Sequence, residues 1–222
     1  MVSPNEETHG HVTVIEGSVT ESEGSSIINA SEFHSLKNLS EDIMILLHEA
    51  SSFFADVVLK CESFSVPAHK CILSARSPVF SAMFKTDMRE SRENSVDIDD
   101  INISVLRIML VYIYTGDTDG LAMSNAYDLL FAADKYQLTR LKNTCSVFLA
   151  NNANDENILN LFIFGHLHDH DLKNFAVKFI SYEVETFSVL ENSEEFKRLR
   201  KEEPDLVIEL LISVIKAREE KL

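Results

Sequence analysis

Two groups of residues have side chains that could support catalysis or metal binding. The first pairs His69 with Cys71, residue types that together can form a general base and a nucleophile. Residues two positions apart on a helix point to different sides, and no third group that would orient the imidazole is evident. We therefore expect His69 to be structural, between a strand and a helix, and Cys71 to belong to an apolar helix stripe.

The second group is the alternating run His166, His168 and His170. Zinc needs ligands that converge on one point, whereas this spacing spreads the three rings around a helix axis. The only nearby acids are Asp169 and Asp171, so we expect a helix end with one buried and two exposed histidines. No phosphate loop, nucleotide fingerprint or pair of catalytic carboxylates appears. The sequence therefore predicts a protein that is not an enzyme and that holds no metal or cofactor.

The charge balance restricts the partners. The chain of 222 residues has 20 Lys and Arg against 36 Asp and Glu, a formal net charge of −16. Nucleic acids and anionic membranes are disfavoured, because their binding depends on basic surfaces. The three cysteines are odd in number and form no CxxC motif, which predicts reduced thiols in the nucleus or cytoplasm. There is no signal-peptide pattern at the start and no run of about 18 apolar residues.

The elements that carry these residues are organised around residues 56–84. Two short apolar runs separated by a turn-sized gap predict a hairpin, which Pro67 should end because it has no N–H. A helix should follow, and Ser77-Pro78 should begin the next one as N-cap and first position. The alternation Ser95–Ile98 predicts a third strand. The nearly all-apolar stretch Val105–Ile113 predicts a buried helix that ends at Gly116.

The flanking segments differ in composition. Residues 1–35 are acidic and poor in large apolar groups, which predicts a disordered tail containing one alternating, strand-like segment, His11–Ile15. Leu39–Ala50 reads as an amphipathic helix capped by Ser40. Beyond Asn151, apolar residues at helical spacing predict two helices joined at Asp169–Asp171, two shorter helices, and a last helix opened by Pro204.

Residues 39–150 resemble a BTB/POZ domain. The resemblance rests on Asp56, Ala68-His69-Lys70, Ser77-Pro78-Val79-Phe80, Met88-Arg89-Glu90-Ser91 and Tyr112-Ile113-Tyr114-Thr115-Gly116. It implies an α+β BTB/POZ fold, a small three-stranded sheet flanked by helices, over residues 36–150. It also implies an all-helical extension similar to a 3-box or shortened BACK domain over residues 151–222.

Two segments resemble the speckle-type POZ proteins in particular, namely Ser74–Phe84 and Ala132–Tyr136. Those proteins carry a substrate-binding MATH domain before the BTB domain, and His11–Ile15 is similar to its last strand. No other part of a MATH domain is present, so either the chain is a truncated product or this similarity is chance. The carboxy end also lacks the basic nuclear signal of those proteins.

The resemblance implies a non-enzymatic substrate adaptor of a cullin-3 RING ubiquitin ligase, which brings an unknown client protein to ubiquitination. In cullin-3-binding members, the loop after the Ser-Pro helix carries an apolar–x–Glu pattern that Met88 and Glu90 match. Met88 would fill a groove on the cullin, Glu90 would support the contact, and Phe84 and Tyr136 would flank the same surface. Homodimerisation would use Leu39, Ile43, Leu46 and Leu47. Higher-order assembly would use Leu206–Ile215, where Leu211 replaces the family's tyrosine.

Two other functions agree with the same sequence. One is a BTB dimerisation scaffold or transcriptional co-regulator without cullin binding, although no DNA-binding segment accompanies it. The other is a truncated competitor that dimerises with full-length MATH-BTB adaptors and lowers their substrate loading. Failure to form mixed dimers with a full-length relative would exclude the competitor.

Overall fold

The computed structural model describes residues 13–15, 18–20, 28–47, 54–85, 89–182 and 189–219, with side chains from residue 31 onward. The first elements form a small antiparallel sheet in the order β1 (Thr13–Ile15), β2 (Ser18–Thr20) and β3 (Ile28–Asn29). The strand expected at His11–Ile15 is thus present at Thr13–Ile15. The other two strands lie within residues 1–35, the stretch that we expected to be a disordered tail.

Helix α1 (Ala30–Met44) starts well before the predicted Leu39, and a 3-10 turn, Ile45–Leu47, follows it. No glycine or proline occurs between residues 30 and 44, so nothing in the chain stops the helix from extending toward its N-terminus. Ser40 is therefore not an N-cap. It lies inside the helix, and its hydroxyl donates a 3.2 Å hydrogen bond to the carbonyl of Thr115. The boundary predicted between residues 35 and 36 falls inside α1.

The main sheet has three strands in the order β5-β4-β6, which are β4 (Val57–Cys61), β5 (Phe64–Ala68) and β6 (Ser95–Ile98). β4 and β5 form the predicted hairpin, and Glu62 in its turn has a φ of 53°. β6 pairs with β4 in parallel, at the predicted residues. Pro67 lies inside β5 instead of ending it, which is tolerated because β5 is an edge strand.

The helices that follow the hairpin are fixed by polar contacts at their starts. Asp56 accepts a 2.7 Å hydrogen bond from the backbone N–H of Lys70, which ties the start of β4 to α2 (Lys70–Arg76). Ser77 caps α3 (Pro78–Lys85) as predicted, because its hydroxyl accepts from the N–H of Phe80 at 3.2 Å. A short helix, α4 (Arg89–Glu93), then leads into β6.

The buried helix α5 (Ile103–Thr115) packs against α1 and α2. Its N-cap is Asn102, and it ends at Gly116, whose φ of 82° lies in the left-handed region that glycine adopts readily. The predicted glycine stop is confirmed. The part of the chain that resembles a BTB domain ends with α6 (Ala126–Lys135) and α7 (Thr139–Asn151).

The rest of the described chain is helical: α8 (Ile158–His168), α9 (His170–Tyr182), α10 (Glu194–Glu202) and α11 (Pro204–Glu219). The predicted junction at Asp169 is confirmed, since its carboxylate accepts from the N–H groups of Asp171 and Leu172 at 3.0 and 3.1 Å. One continuous cluster of buried side chains runs from Val57 in β4 to Val214 in α11. Within the ranges given above, no helix is long and apolar enough to cross a bilayer.

Candidate protein-interaction surfaces

The first candidate surface lies where α3 ends and α4 begins, and we call it the α3–α4 surface. It consists of Phe84, Glu90 and Ser91, which flank residues 86–88 in the sequence. Phe84 and Glu90 are both half-buried. The hydroxyl of Ser91 donates a 3.3 Å hydrogen bond to the carbonyl of Phe84, which ties the short helix to the end of the preceding one. Met88, the predicted anchor, lies outside the described residues.

Ionic contacts hold α4 in place from its other side. The guanidinium of Arg89 pairs with the carboxylate of Asp97 on β6, and it also lies 3.7 Å from the carboxylate of Glu93. A helix of five residues has little stability of its own, so these contacts position Glu90. The carboxylate of Glu90 is therefore presented from a helix fixed to both α3 and the sheet.

Phe84 belongs to a stack of three aromatic rings that packs behind this surface. The ring of Phe80 lies 6.0 Å from that of Phe84 and 4.8 Å from that of Tyr136, with interplanar angles of 12° and 18°. Tyr136 is only 1% exposed, so its predicted role as a flanking contact residue must be corrected. Burial raises the pKa of its phenol. Tyr136 supports the surface through Phe80 and does not form part of it.

The second candidate surface is the outward side of α1. Leu39 is 57% exposed, whereas Ile43, Leu46 and Leu47 are half-buried and pack partly against the core. Two further apolar side chains lie one and two turns before Leu39, namely Phe33 and Leu36, both exposed. The sequence prediction missed this extension because it began the helix too late. The apolar spacing 33, 36, 39, 43 was the signal that could have shown it.

The histidine–cysteine pair is not a catalytic arrangement. His69 is buried, and its Nδ1 lies 2.9 Å from the hydroxyl of Tyr114, which also accepts a 3.0 Å hydrogen bond from the backbone N–H of His69. Burial raises the pKa of Tyr114 to about 12. The structural role predicted for His69 is confirmed. Cys71 was predicted to lie in an apolar stripe of the helix, and its side chain is exposed and does not contribute to the core.

The three alternating histidines have separate partners. His166 faces Glu209 at 3.5 Å, His168 faces Asp134 at 3.7 Å, and Nδ1 of His170 lies 2.8 Å from the amide of Asn174. His168 is half-buried and the other two are exposed. In the part of the chain that the structure describes, no group of three His, Cys, Asp or Glu side chains is placed to hold a metal ion.

Comparisons with known proteins agree with this architecture. The model of the BTB/POZ domain family matches residues 46–153. A BTB/POZ domain-containing protein of Arabidopsis thaliana is 35% identical over 165 residues, which cover 72% of this chain and 67% of that protein. TD and POZ domain-containing protein 3 of Mus musculus is 38% identical over 170 residues, which cover 76% of this chain and 46% of that protein. The chain thus spans about two thirds of one relative and under half of the other.

Two solved structures also match. The BTB domain of zebrafish PATZ1 is 23% identical, with a TM-score of 0.43, and the match covers 57% of this chain and 99% of that one. The BTB domain of human gigaxonin is 26% identical, also with a TM-score of 0.43, and the match covers 57% of this chain and 98% of that one.

The match to the BTB/POZ family indicates a general class of function. BTB domains are generally protein-interaction modules without catalytic activity, and they typically homodimerise and bind other proteins. The fold is the predicted BTB fold, a small three-stranded sheet with flanking helices, followed by a helical region. The chain belongs to the family of BTB/POZ domain proteins.

Proposed function

We propose that this chain is a non-enzymatic adaptor that homodimerises through α1 and docks on cullin-3 through the α3–α4 surface. It would bring a bound client protein to the RING ubiquitin ligase that the cullin carries. The proposal includes a relationship to the speckle-type POZ proteins in particular. It also includes a location in the nucleus or cytoplasm, which the three free cysteines support.

One observation carries the docking proposal, namely the position of Glu90. It follows Met88 by two residues, as the apolar–x–Glu pattern requires, and it sits on a helix fixed by Arg89 and Ser91. An interface gains most from a central apolar anchor with a polar rim that is already in place. Glu90 and its neighbours would supply such a rim around Met88.

The test is calorimetric titration of the chain with the N-terminal domain of cullin-3. We expect Met88→Ala to weaken binding by roughly 30-fold or more, because loss of an interface anchor costs at least about 2 kcal/mol. Glu90→Lys should also weaken it. Glu195→Lys is the matched control, since Glu195 is an exposed acid on α10, far from α4 in the sequence, and the charge change is identical.

The oligomeric mass of every variant should be measured in the same experiment. The proposal would be supported if the Met88 and Glu90 variants remain dimeric but lose cullin-3 binding, while the Glu195 variant keeps it. This result would support both the adaptor function and the site. A well-folded wild-type dimer that does not bind cullin-3 would refute the adaptor. The exposed apolar row on α1 would then favour the scaffold function.

A further inference from the structure

A cleft of about 440 Å³ lies where the end of α5 meets α2 and α7. Two arginines line it, Arg76 from the last turn of α2 and Arg140 from the first turn of α7, together with the hydroxyl-bearing Thr115 and Thr144. We call these four residues and the space between them the arginine cleft. A neighbouring hollow of about 490 Å³ shares both arginines, and among the described residues no acid lines either space. Such a cleft stands out in a chain whose net charge is −16.

Arg76 is held in position by the end of α5. Its Nε donates a 3.0 Å hydrogen bond to the carbonyl of Ile113, and one terminal nitrogen donates at 3.4 Å to that of Tyr112. The guanidinium also lies 5.3 Å from the centre of the Tyr112 ring. A guanidinium has five N–H donors in a fixed plane, so these contacts orient it and leave other donors for a ligand.

The guanidinium of Arg140 makes no hydrogen bond to any described residue. Among the described residues, no ion pair includes either Arg140 or Arg76. Arg140 also occupies the end of α7 where the helix dipole disfavours a cation. That first turn contains no acid, and Leu138 before it supplies no side-chain cap. The start of α7 is therefore a place where an added anion would lower the electrostatic energy.

We propose that the arginine cleft binds a single oxyanion group, a phosphate or a carboxylate, carried by a side chain of a partner protein. A guanidinium group can bind either anion through two parallel N–H donors, and two such groups line this cleft. The hydroxyls of Thr115 and Thr144 already donate to helix carbonyls, so the arginines would supply the charged donors. The strongly negative chain as a whole repels polyanions, which makes one compact group the better ligand. The cleft uses neither Phe84 nor Glu90, so this site is separate from the proposed cullin contact.

The test is an NMR titration of the whole ¹⁵N-labelled chain with inorganic phosphate, at constant ionic strength balanced with chloride. We expect saturable shifts at the amides of Gly116 and Thr144 and at the side-chain Nε of Arg140. Arg140→Gln should weaken binding by roughly tenfold, the lower end of what a charged hydrogen-bond donor contributes. Because Arg140 is exposed and has no described side-chain partner, we expect this variant to keep the fold, which the remaining resonances report.

Arg198→Gln is the matched control, because it removes the same charge from an exposed position on α10. Unchanged binding by this variant, beside the loss in Arg140→Gln, would support the site. A parallel titration with acetate would then tell whether phosphate or carboxylate is preferred. Shifts that do not saturate, or an equal loss in both variants, would mean that the chain only senses bulk anions, and the proposal would be wrong.

Discussion

Leu39 on α1 offers the most direct test of dimerisation. Its side chain is 57% exposed in the single chain, whereas Ile43, Leu46 and Leu47 are partly covered by the chain's own core. A change at those three positions would disturb folding and assembly together. Leu39→Ala should act mainly on assembly, because little of its side chain is packed within the protomer.

The expected magnitude follows from that exposure. Fully burying a leucine contributes about 1.5–3 kcal/mol, so burying the exposed part of Leu39 contributes roughly 1–1.5 kcal/mol. A symmetric dimer contains the contact twice, which gives roughly 2–3 kcal/mol. Leu39→Ala removes most of this area, and the dissociation constant of the dimer should rise by roughly 30- to 100-fold.

Sedimentation equilibrium over a dilution series would measure that constant for the wild type and the variant. Leu167→Ala provides the control, since Leu167 is a similarly exposed leucine, 67%, on α8. Circular dichroism should show the same helix content for all three proteins. The reasoning fails if Leu39→Ala leaves the dissociation constant unchanged, or if Leu167→Ala raises it equally.

Two further predictions concern the stability of the protomer. A Cβ at Gly165 would lie 2.5 Å from the backbone nitrogen of Lys173, so Gly165→Ala should lower the free energy of unfolding in urea by about 3 kcal/mol. A Cβ added at Gly116 would meet no neighbour, so Gly116→Ala should lower the free energy of unfolding by only about 1–2 kcal/mol, the cost of the left-handed backbone conformation. Equal losses for the two variants would contradict the close contact between α8 and α9 at Gly165. Burial raises the pKa of Cys145 to about 12, so its contribution to stability is complete below pH 9 and is lost as the pH rises toward 12. Between pH 8 and pH 10 the wild type should lose about 1 kcal/mol more than Cys145→Ala, and parallel losses in urea titrations would refute this.

Local signals in the sequence predicted most of the BTB part of the fold. Ser77 caps α3, Ser95–Ile98 forms the third strand, and Gly116 ends α5, because each depends on the residue type at one position or on a short alternation. Such features need no information about distant parts of the chain. The start of α1 was missed because Ser40, followed by Glu41 and Asp42, also has the pattern of a helix start, although Asn29 directly before Ala30 is a residue type favoured at N-caps.

The burial of two side chains could not be predicted in this way. Helix α2 is only seven residues long, so its neighbours decide which side faces the core, and Cys71 is exposed. Tyr136 is buried because α3 packs over it, and the carbonyl of Tyr136 accepts a 2.7 Å hydrogen bond from Ser77, 59 residues earlier. A motif shared with a family can identify such a residue, but its contacts must come from the structure.

The division between the BTB domain and the helical extension also needs the structure. The predicted boundary near residue 150 coincides with the end of α7, yet polar contacts cross it. The hydroxyl of Ser146 on α7 donates a 2.5 Å hydrogen bond to Asp169, whose carboxylate also caps α9, and Asp134 on α6 faces His168 on α8. Because the buried cluster is continuous across the same boundary, removing the extension would expose apolar surface of α6 and α7 to water. The extension is therefore part of what stabilises the BTB domain in this chain.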